Sequence, residues 1–269
     1  MALNIAKYAS RLKEKEEGAK ASEFAKLLWK PEEGQQTIRI IPYKFDPDNT
    51  IIELKFYYKF AGTNKTFLAP CTFGKPDPIL EAVETLRSGG SDADKKLAKE
   101  FSPVTRYYVP IIVRGQEEKG VKFWGFGVQT WTQLVKLVTN PKWGDITSLI
   151  EGNDLDIEFH KVGNKKNAKG EAFPETTVIP CPQKTPAVSQ SRRDLMKKLD
   201  EQTDILTIFP LKSYEELKSI MESYLNPDAE QDVAASSTPT SKSTTPVATN
   251  APEEPAADEN EFAKFFQKK

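Results

Sequence analysis

Three short stretches of this 269-residue chain set aromatic rings beside basic side chains: Lys55-Phe56-Tyr57-Tyr58-Lys59-Phe60, Arg106-Tyr107-Tyr108 and Lys122-Phe123-Trp124-Gly125-Phe126. Rings offer faces on which unpaired bases stack, at roughly 1–3 kcal/mol per base, while ammonium and guanidinium groups neutralise phosphates. The chemistry these residue types support is the holding of single-stranded nucleic acid. Side chains alternate faces along a strand, so Lys55, Tyr57 and Lys59 are expected to share one face and Phe56 and Tyr58 the other. Any one ring taken alone fits a core position better. Rings beside bases on three separate strands are what point to a groove. A fourth stretch, with Lys161, Lys165, Lys166 and Lys169 and then Phe173, reads either as a phosphate-contacting loop or as a solvated hairpin tip.

Other chemistry is thinly supplied. The single histidine, His160, sits inside the strand-like text DIEFHKV, and no GxSxG, Walker-type or HExxH motif is present. Gly125-Phe126-Gly127 lacks the third glycine of a dinucleotide loop. Cys71, Cys181 and His160 could not fill a zinc site of four ligands, and two cysteines make no disulfide framework. The expectation is a protein that is not an enzyme and carries no metal or cofactor. No apolar run approaches the roughly 18 residues of a membrane helix, and the N-terminus lacks a secretory plan, so a cytosolic protein without a membrane partner is expected.

Charge divides unevenly. Residues 226 to 269 hold eight acids and four bases, a tail at −4, which leaves the preceding residues at +3 within a chain of net charge −1. That split favours a polyanionic partner for the body and another role for the tail.

The elements that would position the rings are mostly short strands. Residues 35–44 and 49–60 are β-branched and aromatic, and Asp46-Pro47-Asp48-Asn49 marks a turn between them; 64–70 continues the meander. Residues 105–114 and 120–127 form a second pair around the loop GQEEKG, followed by a helix at 130–139 and strands at 155–162 and 176–181. Between the two groups, about 76–101 reads as a small helical insertion, and 191–201 and 213–225 read as peripheral helices. Many short strands with few helices suit a small barrel. Residues 1–20 read as an amphipathic arm. From Asn226 to Glu261 the text turns to Ala, Ser, Thr, Pro and acids, which cannot bury enough apolar surface to order itself.

The order of these pieces resembles the helix-destabilising single-stranded-DNA-binding proteins of T4-type bacteriophages. The similar residues are LLWKPEEGQQTIRIIPYK (27–44), ELKFYYKF and NKTFLAPC (within 53–71), TRYYVPIIV and EEKGVKFWGFGVQTWTQL (within 105–134) and FPLKSYEELKSIM (209–221). The resemblance implies an arm at 1–20 for cooperative self-association, a mainly β OB-fold core over 21–225, and a disordered acidic tail over 226–269 that recruits phage replication and recombination proteins. It implies single-stranded-DNA binding in replication, recombination and repair, in the cytoplasm of the infected bacterial host. Matched by position, Tyr107, Tyr108, Phe123, Trp124 and Phe126 would stack on bases, with Arg106 and Lys122 at neighbouring basic positions and Phe173 a looser match. Lys55, Tyr57, Lys59, Lys165 and Lys166 join the DNA-contact set from their own strand and loop.

Two departures stand out. The family's type member holds zinc with one His and three Cys in the insertion, whereas here only Cys71 is near that place; the expectation is a lost zinc site, with Ile79, Leu80, Val83 and Leu86 packing in its stead. The arm also lacks the family's compact basic run. Two other readings stay open: a replisome or assembly interaction protein, in which the aromatics of 106–126 would be buried, and an OB-fold protein for single-stranded RNA.

One motif recurs. Ser22-Glu23-Phe24-Ala25-Lys26-Leu27-Leu28 is echoed by Asn260-Glu261-Phe262-Ala263-Lys264-Phe265-Phe266. Read as two helix starts, both copies place an apolar triplet at i, i+3 and i+4. The second copy, Phe262, Phe265 and Phe266, is either a partner-docking peptide or a chance match.

Overall fold

In the computed structural model the described residues are 11–12, 25–58, 60, 66–161, 173–187, 192–207, 209 and 211–225. The arm apart from residues 11–12, the 226–269 tail with Phe262, Phe265 and Phe266, and the positions of Lys59, Lys165 and Lys166 lie outside them. The chain divides into two compact units: Met1–Tyr58, Lys65–Lys75 and Pro103–Lys212 form one, and Lys59–Asn64, Pro76–Ser102 and Ser213–Lys269 form the other.

The first unit carries an eight-stranded mixed sheet among its described residues: β1 (Leu28–Trp29), β2 (Gly34–Ile40), β3 (Ile52–Tyr58), β4 (Thr66–Leu68), β5 (Val104–Val113), β6 (Lys122–Phe126), β7 (Gly152–His160) and β8 (Glu175–Thr185). The main path runs β1-β6-β5-β2-β7-β8, with β3 pairing to β4 and β5. Among the named strands of the described residues only β1 and β6 pair in parallel, the other pairs being antiparallel, and Leu68 of β4 makes an isolated parallel bridge to Leu211. The expected strand-rich architecture is therefore present as a sheet, with β1 and β8 at the two ends of its path.

Strand β5 is the hub. Its first half, Val104 to Tyr108, pairs with β3, and Ile111 to Val113 pair with β2 along the same edge. Pro110 would interrupt a central ladder because it has no N–H. It falls at the handover between β3 and β2, where its carbonyl accepts from Ile41 N at 3.1 Å. Pro42 similarly explains why β2 ends at Ile40 rather than at residue 44. The C-terminal strand runs four residues further than its sequence suggests, through Pro180 and Pro182, because β8 pairs only with β7 and an edge strand tolerates missing donors.

Both faces of the hub are covered. On one, Ile38, Ile40, Val109, Ile111, Trp124, Phe126, Leu155 and Ile157 form the main core, with Leu134 of the helix α3 (Val128–Val138) packed into it. On the other, Ile52, Leu54, Phe56, Tyr108 and Phe123 pack with Tyr43 and Ile205. The strap after helix α4 (Arg192–Asp200) is fastened by polar contacts: Tyr43 donates to Asp204 Oδ1 at 2.7 Å, and Gln202 bonds Lys44 N and Pro42 O at 3.0 and 2.9 Å. Sequence pattern alone does not announce such long-range fastening.

A buried polar cluster ties four strands together. Arg39, fully buried on β2, donates to Asp154 Oδ1 at 3.1 Å and to the carbonyls of Ser148 and Thr185. Arg114, just past β5, grips both oxygens of Asp154 at 3.1 and 2.7 Å and donates to Pro186 O and Ala187 O. Thr185 donates to Asp154 Oδ2 at 3.0 Å. Gly152 admits this cluster: a Cβ there would stand 2.7 Å from Arg39 Nη2 and 2.6 Å from two carbonyl oxygens.

The second unit contains α1 (Pro78–Gly89), α2 (Asp92–Phe101) and α5 (Tyr214–Leu225). Asp77 caps α1 through the N–H groups of Ile79 and Leu80, and Ser91 caps α2 through Asp94 N. Gly90, at φ 80°, makes the turn between them. Ile79, Val83 and Leu86 are buried as expected, while Leu80 is half-buried. Phe101 packs against both Phe60 and Tyr224, with ring centroids 4.8 and 5.6 Å apart.

The first copy of the repeated motif does not continue as a helix. Ala25–Leu27 make a helical turn, and then Leu28 and Trp29 enter β1, paired with Phe123 and Trp124. Leu28 therefore does not stand one helical step beyond Leu27; the parallel ladder with β6 prevails over a helix too short to hold itself. Leu27 and Leu28 still pack on the core beside Phe123.

Candidate nucleic-acid interface

Six of the aromatic side chains expected to meet bases are buried among others. Tyr107, 8% exposed, stacks with Trp131 at 5.1 Å and Phe126 at 6.3 Å, with interplanar angles of 18° and 19°. Trp124, 1% exposed, meets Trp29 edge-on at 5.8 Å. Phe123 packs against Tyr43, and Tyr57 against Phe67 at 5.6 Å. Tyr57 is as buried as Phe56 before it, so the expected split of β3 into Phe56 with Tyr58 on one side and an exposed Tyr57 with Lys55 on the other does not describe their exposure. Strand alternation fixes which side chains share a face. It does not fix which face is covered, and here both are.

The exposed ring on β3 is Tyr58, at 42%. It stands two places along from Phe56, with ring centroids 5.8 Å apart. The register Ile52↔Tyr108, Leu54↔Arg106 and Phe56↔Val104 sets the exposed Arg106 opposite Leu54, four residues before Tyr58 on β3. Burial, with the Tyr58 phenol nearby, pushes the Tyr108 hydroxyl above its usual range, and Arg106 pulls it the other way.

Two glycines keep this edge low. Gly125 lies opposite Tyr108 across the β5–β6 ladder, and a Cβ on it would stand 2.7 Å from the Tyr108 ring. The ring therefore lies against bare backbone. Gly127 precedes α3 in an extended conformation, and the helix begins with no side-chain cap and no acid in its first turn. A helix start carries about half a positive charge and unsatisfied N–H groups, both suited to an anion. Arg106 Nη1 lies 3.5 Å from where a Cβ on Gly127 would stand. Arg106, the start of α3 and the Tyr58–Tyr108 pair thus bring cation, N–H donors and rings to one edge, the combination a phosphate with its neighbouring base requires.

The remaining expected contacts are spread out. Phe173 is 52% exposed just before β8. Lys55 is half-buried on β3. Lys122 is half-buried with Nζ donating to Lys26 O at 2.8 Å, at the far end of the β5–β6 hairpin from Arg106. Tyr58, Gly125 and the uncapped start of α3 were not singled out as contacts by the sequence. The signal for the glycines was there: two of them flanking one Phe at a strand end mark a close approach of backbone to something else.

Cys71 is half-buried in the 3-10 turn Pro70–Phe73, His160 and Cys181 lie on β7 and β8, and among the described residues no three His, Cys, Asp or Glu side chains group as metal ligands.

No curated protein matches the chain. The family described as gp32 DNA binding protein like matches residues 32–224, well over half of the sequence, spanning both the sheet with its Arg106 edge and the helical insertion, and the protein belongs to that DNA-binding family.

Proposed function

We propose that this protein binds single-stranded DNA with little regard to sequence, through base stacking and phosphate neutralisation on an OB-type barrel, in phage replication, recombination and repair. The match to the DNA-binding family over residues 32–224 is the observation that carries the reading. The edge formed by Arg106, Tyr58, Tyr108 and the start of α3 supports it, because it joins an exposed ring and cation to a helix N-terminus without an acid in its first turn. The acidic tail, by its composition, recruits replisome partners and competes with DNA for the body. The protein works in the cytoplasm of the infected bacterial host, with no metal and no catalytic step of its own.

A second reading has an observation in its favour. Burial of Tyr107, Tyr108, Phe123, Trp124 and Phe126 is what a protein-docking platform would require. Stacking on those rings needs their neighbours to move; stacking on Tyr58 does not. The family match favours DNA.

Titration of the full chain and of a chain ending at Asn226 with single-stranded DNA, single-stranded RNA and duplex, at two salt concentrations, separates the readings. Salt-sensitive preference for single-stranded DNA is expected, with tighter binding by the shortened chain. Equal or absent binding to all three overturns the DNA reading in favour of the docking platform, and preference for RNA assigns the other polymer.

A further inference from the structure

The β5–β6 hairpin has a second end, away from Arg106. There Trp29, Lys30, Lys119 and Lys122, with Leu28 and Val113, line a cleft of about 250 Å³. None of its lining residues is acidic. Lys122 is held on Lys26 O at 2.8 Å and Lys119 on Gln116 Oε1 at 3.0 Å, so two ammonium groups are fixed near one opening. Lys30 is exposed beside the half-buried Trp29. Carboxylates border it: Glu117 is engaged with Arg114 at 3.9 Å, the exposed Glu118 adjoins Lys119 in the same turn, and Glu201 comes within 3.8 Å of where a Cβ on Gly120 would stand. Two of the three lysines can thus be offset by Glu118 and Glu201, leaving one positive charge in excess around a concave surface that includes an indole.

We propose that this cleft is a second nucleotide subsite, which takes a phosphate on Lys30 and Lys119 and the adjoining base or sugar against Trp29 and Leu28. The inference rests on the single-stranded-DNA reading and extends it: one strand is held at both ends of the hairpin. Arg106 and Val113 lie seven residues apart on one strand, about 23 Å at about 3.3 Å per residue. A tetranucleotide at the stacked spacing of about 3.4 Å spans about 10 Å and cannot reach both ends; a dodecanucleotide spans about 37 Å and can. The subsite therefore adds affinity only for longer strands.

The test compares the full-length protein with its Lys30→Gln, Lys119→Gln double variant, using tetrathymidylate, dodecathymidylate and an octaglutamate peptide as probes. The variant is expected to match the wild type on tetrathymidylate and to bind dodecathymidylate about tenfold more weakly at low salt. The slope of log affinity against log salt should fall by about 0.7, the contribution of one phosphate contact on a single strand. Thermal unfolding of the two proteins should coincide. Unchanged affinity and slope on dodecathymidylate, with the wild type still binding it, overturns the subsite and leaves the DNA reading intact; so does an equal loss on both lengths. Octaglutamate bound by the wild type and lost in the variant, with DNA affinity unchanged, assigns the cleft to an acidic protein partner instead. If the wild type binds neither oligonucleotide, the DNA reading itself fails.

Discussion

Strand β5 has an arginine near each end, and their surroundings are opposite. Arg114 is gripped by Asp154, and the wholly buried Arg39 joins it there, with Thr185 and backbone carbonyls taking further donors, though the buried Arg39 Nε has no hydrogen-bond partner among the described residues. Arg106, eight residues earlier in the sequence, is exposed beside a helix start and a bare glycine backbone, with no carboxylate paired to it among the described residues. A guanidinium out of water must be satisfied where it stands, and at the Arg114 end the satisfaction is internal. At the Arg106 end the donors remain available to a ligand. The same residue type thus fastens the fold at one end and presents charge at the other.

The largest effect should come from breaking the fastened end. Asp154→Ala leaves two guanidinium groups without their shared carboxylate, one of them fully buried, and should cost about 3–5 kcal/mol of stability in urea unfolding. A loss below about 1 kcal/mol, the scale of an exposed pair, would mean that the two ends do not differ as described.

A smaller effect on folding is expected at the open end. Gly125→Val places a side chain into the Tyr108 ring, and the displaced ring should cost about 1–3 kcal/mol. Since Tyr108 neighbours Arg106, DNA affinity measured by anisotropy should fall as well, even where the variant remains folded. If affinity is untouched, the low glycine edge is only a packing device.

Tyr58 sharpens the comparison without disturbing the core. Tyr58→Ala should lose about 1–3 kcal/mol of single-strand binding, while Tyr58→Phe keeps the ring and should stay near wild type. The reverse order would show that the hydroxyl, and not the stacking face, makes the contact.

Arg106→Gln should have the least effect on the fold, within about 0.5 kcal/mol in thermal unfolding. Its signature is a salt slope reduced by about 0.7 on single-stranded DNA. A large stability loss there would place Arg106 with Arg39 and Arg114 and erase the distinction.

Much of the fold was legible residue by residue. The turn at Asp46–Asn49, the β-branched runs around it and the helical insertion at about 76–101 rest on preferences that act over a few residues, and all appear in place. The two-residue strand β1 was not legible, because Leu28 and Trp29 become a strand only by pairing with β6, about 95 residues away. The candidate edge was half legible. Arg106 was singled out and is exposed, but Tyr57, Tyr107 and Tyr108, singled out with it, are buried, and Tyr58 was passed over.

By itself the sequence determined the alternation of strands, the helical insertion, the acidic composition of the last 44 residues and the company of rings and bases that marks a nucleic-acid binder. These follow from local backbone preference and composition, which act within reach of a turn. Tertiary structure decided which rings face solvent and which arginines are already satisfied. Tyr107 disappears under Trp131, Tyr108 lies down over Gly125, and Arg114 meets Asp154 from another strand. Exposure and charge pairing depend on what arrives from distant parts of the chain, and periodicity carries no record of that.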